Sequence, residues 1–406
     1  MKSNILYDVI DDCKFPLVPL SFITNYTSGW TPPSNVSSFY NGENKWATIS
    51  DLGEKYIDST KNHISDLAVE DKKNAEMSQP GDLLFSFKLS VGSVSIVKEP
   101  MFTNEAIATF KPSEKLDIRY AYYAFPIFIP ANARPNIYGA PLLNADLISR
   151  ARIPLIDLET QHRIADYLDK EIGKIDELIK DLKELIKNLE ERKKALVNEV
   201  FSKNKEKYGN SKVWINSNLI RRGISPFYTE GKGIKVINQK CVRPNREIDY
   251  GLCRFHDQKE KEVSSHLFLQ KGDILINSTG TGTLGRSSII KENLEEKITF
   301  DSHVTLIRPN NKINPSYLSW VIYNEEQKLI DFSVGSTNQI ELSRPMVANI
   351  EFPFPPIEKQ IEIAKELDEE FENMDSLIDN CSKLIELLKE RKAVLITEVV
   401  TGRLKV

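Results

Sequence analysis

"IPLIDLETQHRIADYLDKEIGKIDELIKDLKELIKNLEERKKALVNEV", Ile153 to Val200, returns without a gap as "FPFPPIEKQIEIAKELDEEFENMDSLIDNCSKLIELLKERKAVLITEV", Phe352 to Val399. About 20 of the roughly 47 positions after the first are identical, and self-similarity of that extent marks a duplicated unit. Glu159, Gln161, Ile164, Ala165, Leu168 and Asp169 pair with Glu358, Gln360, Ile363, Ala364, Leu367 and Asp368, and "ERK" recurs at Glu191 to Lys193 and Glu390 to Lys392.

Each copy reads as one long helix. In the first, Ile172, Ile175, Ile179, Leu182, Ile186 and Leu189 step by threes and fours, Lys193 interrupts, and Leu196 and Val200 resume. The second repeats the stripe with Phe371, Met374, Ile378, Cys381, Ile385 and Leu388, the break at Lys392, then Leu395 and Val399. Such a stripe is a coiled-coil seam. Prolines precede both helices, and Asp157 is placed to cap the first. About 45 residues at 1.5 Å each predict a rod of roughly 65 Å. A seam this narrow needs a partner, and the matching seam of the same chain is the nearest one, so the helices are expected to pair. Lys193 and Lys392 then fall at apolar heptad positions, where a charge costs stability and fixes register.

The rest of the chain forms two blocks of single-domain size, each preceding one helix. They echo each other: "QPGDLLFSF" from Gln79 answers "QKGDILINS" from Gln270, and "NEAIATFKP" from Asn104 answers "DSHVTLIRP" from Asp301. Short strands such as "DLLFSF", "VSIV", "DILIN" and "TLIRP", with helices around Tyr120 and Tyr317, predict mixed globules. The expected fold is α+β, a pseudo-twofold tandem duplication: globule 1–153, long helix 154–204, globule 205–352, long helix 353–406, with the helices pairing as an antiparallel coiled coil and the globules at its opposite ends.

"ILINSTGTGTLGRSSII", Ile274 to Ile290, holds Gly280, Gly282 and Gly285 as Gly-x-Gly-x-x-Gly. A nucleotide site would need a helix opening on the last glycine, with free N–H groups facing phosphate. "RSSIIKEN" instead continues with β-branched residues and a turn, so the loop is expected to join two strands. A Ser/Thr/Gly turn of this kind suits phosphate or base-edge contacts.

The net charge of −4 does not exclude nucleic acid, because binding needs a local basic face. Residues 353–406 hold 8 Lys and Arg against 12 Asp and Glu, whereas 211–352 hold 19 against 16. The acidity is therefore concentrated in the second helix. Four scattered cysteines and five scattered histidines suggest neither a disulfide framework nor a metal site. No apolar run reaches the roughly 20 residues of a membrane span, and the start of the chain lacks a secretory pattern, so a cytoplasmic location without membrane association is expected.

In this order of elements the chain resembles the specificity subunit of type I restriction-modification enzymes. The resemblance rests on "WATISDLGEKYI" from Trp46, "SFKLSVGSVSIV" from Ser86, "GSTNQIELS" from Gly335, the Glu-x-Gln starts of both helices, and the closing "ITEVVTGRLKV". The first helix departs from it, ending in "NEVFSKN" without Val-Thr-Gly, as does "YGAPLLNADLISR" where the second globule has "GSTNQIELSR". The resemblance implies that each globule is a target recognition domain reading one half of a split, asymmetric site in double-stranded DNA. It implies that the paired helices fix the spacer and dock two modification (methyltransferase) subunits carrying S-adenosylmethionine, which restriction and translocase subunits can join. No cofactor, metal or catalytic residue is expected in this chain: it has no Asn/Asp-Pro-Pro-Tyr/Phe stretch for an adenine amine, and "TPPS" and "FPPI" do not substitute. The competing readings are a coiled-coil scaffold without DNA specificity and a self-contained DNA-modifying enzyme.

Turn chemistry and side-chain type nominate DNA-contacting residues. In the first globule they are Trp30, Thr31, Lys88, Ser90 and Tyr138; in the second, Lys240, Arg243, Thr279, Thr281, Thr283, Arg286, Ser336, Thr337 and Asn338.

Overall fold

The computed structural model describes residues 9–135, 141–280, 282–334 and 341–406. The chain forms two compact units, Met1–Leu182 with Ser382–Val406, and Lys183–Cys381. Each unit thus holds one globule, part of the helix that follows it, and part of the other long helix.

In the first unit a five-stranded sheet has the order Tyr26–Ser28, Ile107–Phe110, Leu83–Ser86, Val94–Val97, Tyr56–Ile57. All its pairs are antiparallel except the last. "LLFS" is buried at every position because structure covers both faces of this strand, which is why it reads as a continuous apolar run. The helix Ile118–Phe128 closes one side, with Phe125 against Phe110 at a centroid separation of 5.0 Å. A second sheet joins Asn62–Ile64, Tyr40–Ala47 and Phe102–Thr103 around Trp46, Ile64 and Phe102.

The second unit repeats the plan. Ser217–Arg222, Val304–Pro309, Ile274–Asn277 and Ser287–Ile289 form one sheet, and Tyr228–Thr229, Arg254–His256, Ile234–Ile237 and Ile298–Phe300 the other. Its helix runs Pro315–Val334. The duplication reaches single hydrogen bonds. Gln79 N–H donates to Asp82 at 2.8 Å, and Gln270 N–H donates to Asp273 at 2.9 Å. The buried Gln161 amide accepts from Asp117 N–H and donates to the Ile156 carbonyl, while Gln360 accepts from Asn314 N–H and donates to the Pro355 carbonyl.

The long helices span Leu158–Lys207 and Ile357–Val400, the first capped by Asp157 accepting from Thr160 N–H at 2.8 Å. Within each unit their segments pack antiparallel. In the first, Lys392 Nζ reaches Asp176 at 2.6 Å, and Arg163 Nε donates to the Val406 carbonyl at 2.9 Å, so the start of one helix lies along the end of the other. In the second, Lys193 Nζ donates to Asp375 at 2.6 Å. Both seam lysines thus carry an aspartate from the facing helix. Sequence spacing marked the lysines; the partners, themselves equivalent in the repeat, read as ordinary surface acids.

One seam differs from its expected course. Beyond Lys193 the fully buried residues are Val197 and Phe201, while Leu196 and Val200 are only partly buried. The stripe there steps by four because the second globule, not the helix pair alone, covers it: Phe201 stacks on Tyr317 at 5.5 Å.

Candidate nucleic-acid interface

Each globule carries a β-hairpin built to one plan. Leu83–Ser86 pairs with Val94–Val97, and Ile274–Asn277 with Ser287–Ile289. At the hairpin ends Ser86 exchanges backbone bonds with Gly92 and Ser93, and Asn277 with Gly285 and Arg286. The Gly-x-Gly-x-x-Gly stretch is therefore a strand-to-strand turn, as its flanks predict. Gly280, Gly282 and Gly285 have φ of 107°, 78° and 81°, the left-handed region that glycine occupies without strain. At Gly280 a side chain would also collide with Gln239 and Thr283.

In the first unit the hairpin tip exposes Lys88, Leu89 and Ser90, with Leu89 92% exposed. The Ser90 carbonyl accepts from Ser86 Oγ, which holds the tip in shape. Thr31 and Lys88 converge on one carboxylate: Thr31 Oγ1 donates to Glu105, and Lys88 Nζ lies 3.9 Å from it. The Thr31 hydrogen bond, with Lys88 adding to it, holds the Glu105 carboxyl below its ordinary pKa, so it stays ionised. Trp30, next to Thr31, takes part in packing. It is half-buried, edge-on to Phe102 at 5.2 Å, and its carbonyl accepts from Trp46 Nε1 at 3.0 Å. Its aromatic bulk completes the core of the smaller sheet, a role that its turn-like flanks concealed.

In the second unit the turn after Ile274–Asn277 meets the segment after Ile234–Ile237. Asn277 Nδ2 donates to the Gln239 carbonyl at 2.9 Å, which brings Lys240 beside the turn. Thr279 Oγ1 bonds His303 Nδ1 at 2.7 Å, Thr283 Oγ1 folds back on the Thr279 and Gly280 carbonyls, and Arg286 donates to the Gly282 carbonyl at 2.7 Å. Lys240 and Arg243 are exposed and make no ion pair among the described residues. Lys240 joins the turn cluster; Arg243 sits on a separate turn whose next charged residue, Arg246, points inward. Tyr138, Thr281, Ser336, Thr337 and Asn338 lie outside the described residues.

Three members of this surface are not among the nominated contacts, although Arg222 and Gln239 fall in a stretch whose Arg, Lys, Asn and Gln side chains suit phosphate and base-edge contacts. Arg222 pairs with Glu341 and donates to the Leu342 carbonyl at 3.0 Å, bracing the segment that follows residues 335–340. His303 orients Thr279. Gln239 keeps a buried amide oxygen without a hydrogen-bond partner among the described residues. His303 sits in "DSHV", where its place beside a strand end is the signal that could have found it.

The geometry is matched by kinship. The sequence profile of the type I restriction modification DNA specificity domain fits this chain twice, over residues 18–188 and 194–387. The chain belongs to that family. The putative type I restriction enzyme MjaX specificity subunit of Methanocaldococcus jannaschii is 28% identical over 187 residues, 45% of this chain and 43% of that protein. The match thus spans less than half of that relative's length. The MjaVIII specificity subunit of the same organism is 22% identical over 340 residues, 78% of this chain and 77% of its own length. Among solved structures, a chain from a study of complex assembly and conformational transition of the type I R-M system superposes with a TM-score of 0.76 at 16% identity, covering 96% of this chain and all of its own. At that identity the likeness establishes the fold.

Proposed function

We propose that this chain is the DNA-specificity subunit of a type I restriction-modification enzyme, each globule reading one half of a bipartite site. The observation that carries the reading is the pair of equivalent hairpin turns, one in each specificity domain: the first exposes Lys88 and Ser90, and the second carries the half-buried Thr279, Thr283 and Arg286 beside the exposed Lys240. Side chains of this kind suit phosphate positioning and base-edge readout. The helix pair sets the spacing between half-sites and docks two modification subunits, which bring S-adenosylmethionine and methylate an adenine in each half. The chain itself positions DNA without catalysing. Because the target base must leave the duplex for methylation, local DNA distortion accompanies binding.

Single-molecule sequencing of methylated adenines tests this, comparing cells that express the chain together with its neighbouring modification subunit against cells lacking the chain. A bipartite methylated motif dependent on the chain is the expected result. No new motif, with the modification subunit shown to be active, overturns the proposal in favour of a coiled-coil scaffold.

A further inference from the structure

The two units can be compared residue by residue. Ser95 Oγ donates to the Glu54 carbonyl at 2.7 Å and Ser288 Oγ to the Glu247 carbonyl at 2.8 Å, which makes Gly53 the counterpart of Arg246. Tyr123 Oη donates to Asp169 at 2.6 Å and Trp320 Nε1 to Asp368 at 3.0 Å, which makes Tyr123 the counterpart of Trp320 and, three residues on, Pro126 that of Tyr323. The helix repeat equates Ile172 with Phe371.

In the second unit these positions form a filled aromatic box. The Arg246 guanidinium lies 3.3 Å over Trp320, Trp320 meets Phe371 at 4.5 Å, and Tyr323 meets Phe371 at 5.7 Å. In the first unit arginine has become glycine, tyrosine proline and phenylalanine isoleucine. All three reduced positions line a cavity of about 410 Å³. A Cβ added at Gly53 would meet nothing within 4 Å. The cavity is thus the place of a plug that the second unit supplies from its own chain.

We propose that this cavity in the first unit is a binding site for a neutral, single-ring aromatic group. Its size is ample, since apolar cavities of about 150 Å³ already hold benzene. Its charges cancel locally: Lys55 is paired with Asp169, and Lys392 with Asp176 at 2.6 and 2.8 Å. An ionic ligand therefore gains nothing there. The Lys55 ammonium, 5.7 Å from the Tyr122 ring and 5.5 Å from the Tyr123 ring, already takes the cationic place over these aromatic faces. Tyr122, which stands where the second unit has Ser319, returns part of the ring bulk, and what the cavity still lacks is the bulk missing at Gly53, Pro126 and Ile172. Tyr122 lines the cavity, and its hydroxyl, which has no hydrogen-bond partner among the described residues and which burial keeps protonated by raising its pKa to about 12, is the donor offered to a ring substituent. An occupant would brace the loop at Gly53 against the long helix of this unit, as Arg246 braces its loop in the second.

The test is a calorimetric titration of the full chain with p-cresol, beside cyclohexanol and ethylguanidinium. Saturable binding of one p-cresol is expected, at least tenfold weaker in Ile172→Phe, which restores the plug, and severalfold weaker in Tyr122→Phe, which removes the donor. Absence of saturable binding, equal binding by both variants and the parent, or tighter binding of ethylguanidinium overturns the proposal. A further arm rests on the function proposed above. If a partner side chain is the natural occupant, p-cresol binding is lost in the complex with the modification subunit; if a free small molecule is, binding persists. The titration of the chain alone needs neither DNA nor partner, so its failure and that of the functional reading are distinguishable.

Discussion

The Arg246 guanidinium carbon stands 3.3 Å from the centroid of the Trp320 ring. Arg246 is buried in a left-handed conformation with φ of 64°, and it also donates to Ser319 Oγ at 3.0 Å and approaches Asp368 at 3.4 Å. Burial lowers its pKa to about 10, with Asp368 opposing the shift, so the cation persists at neutral pH. This one side chain links a loop of the second recognition domain to the long helix beneath it. Arg246→Ala should therefore cost about 3 kcal/mol, combining the lost stack with the Asp368 charge left without its partner. Arg246→Lys keeps the charge but not the planar fork, and should cost about 1–2 kcal/mol. Urea unfolding followed by tryptophan fluorescence measures both, and an Arg246→Ala midpoint equal to the parent's would refute the linkage.

The two seam lysines predict an asymmetry. The Lys193 side chain is 5% exposed and lies 4.9 Å over the Phe371 ring, whereas Lys392 is 33% exposed. Removing the partner strands a buried charge in the first case and a hydrated one in the second. Asp375→Asn should therefore cost about 2 kcal/mol, reduced from the fully buried figure because Asp375 is itself partly exposed, and Asp176→Asn less than about 1 kcal/mol. The double change Lys193→Met with Asp375→Leu should be near neutral in stability yet relax register, seen as methylation across altered spacers. Equal costs for the two aspartates would show that burial does not decide the energetics here.

The helix pair was legible in the sequence because a repeat and a heptad stripe are one-dimensional signals, and Lys193 and Lys392 stand out as interruptions of the stripe. Asp176 and Asp375 did not stand out, since an acid just outside a seam looks like any solvated helix residue. The drift to Val197 and Phe201 was hidden for a related reason: it depends on a neighbour distant in sequence, the Tyr317 region. The packing role of Trp30 was hidden because its flanks are turn-like while its ring packs against a core made by Trp46 and Phe102. The first-unit cavity comes from three replacements, at Gly53, Pro126 and Ile172, that are scattered along the chain and meet only on folding.

Glu326 offers a pH test. Burial raises its carboxyl above the ordinary value, with the nearby charges of Arg286 and Lys194 offsetting part of the effect. A carboxyl raised in the folded state binds its proton more tightly there than in the unfolded chain. Stability is therefore lost as pH climbs from the unfolded value, about 4.3, through the folded one. Glu326→Gln should raise stability at pH 7 and make no difference near pH 3.5, where both side chains are neutral. Denaturation midpoints at the two pH values check this, and a variant destabilised at pH 7 would mean that the attraction to Arg286 outweighs burial.

Glu105 sets the charge of the first recognition surface, because it takes up both Thr31 and Lys88. A carboxylate beside phosphates repels them, and its neutralisation releases Lys88 to bind. Glu105→Gln should therefore tighten binding to all duplexes alike and steepen the dependence of log K on log salt by about one unit, the signature of one added phosphate contact. If the second domain reads the other half-site, as proposed, the same change should leave discrimination there untouched. Titrations at several salt concentrations with paired cognate and scrambled half-sites separate these effects. If Glu105 instead accepts a hydrogen bond from a cytosine amine, affinity falls at a single base pair, and the electrostatic assignment fails.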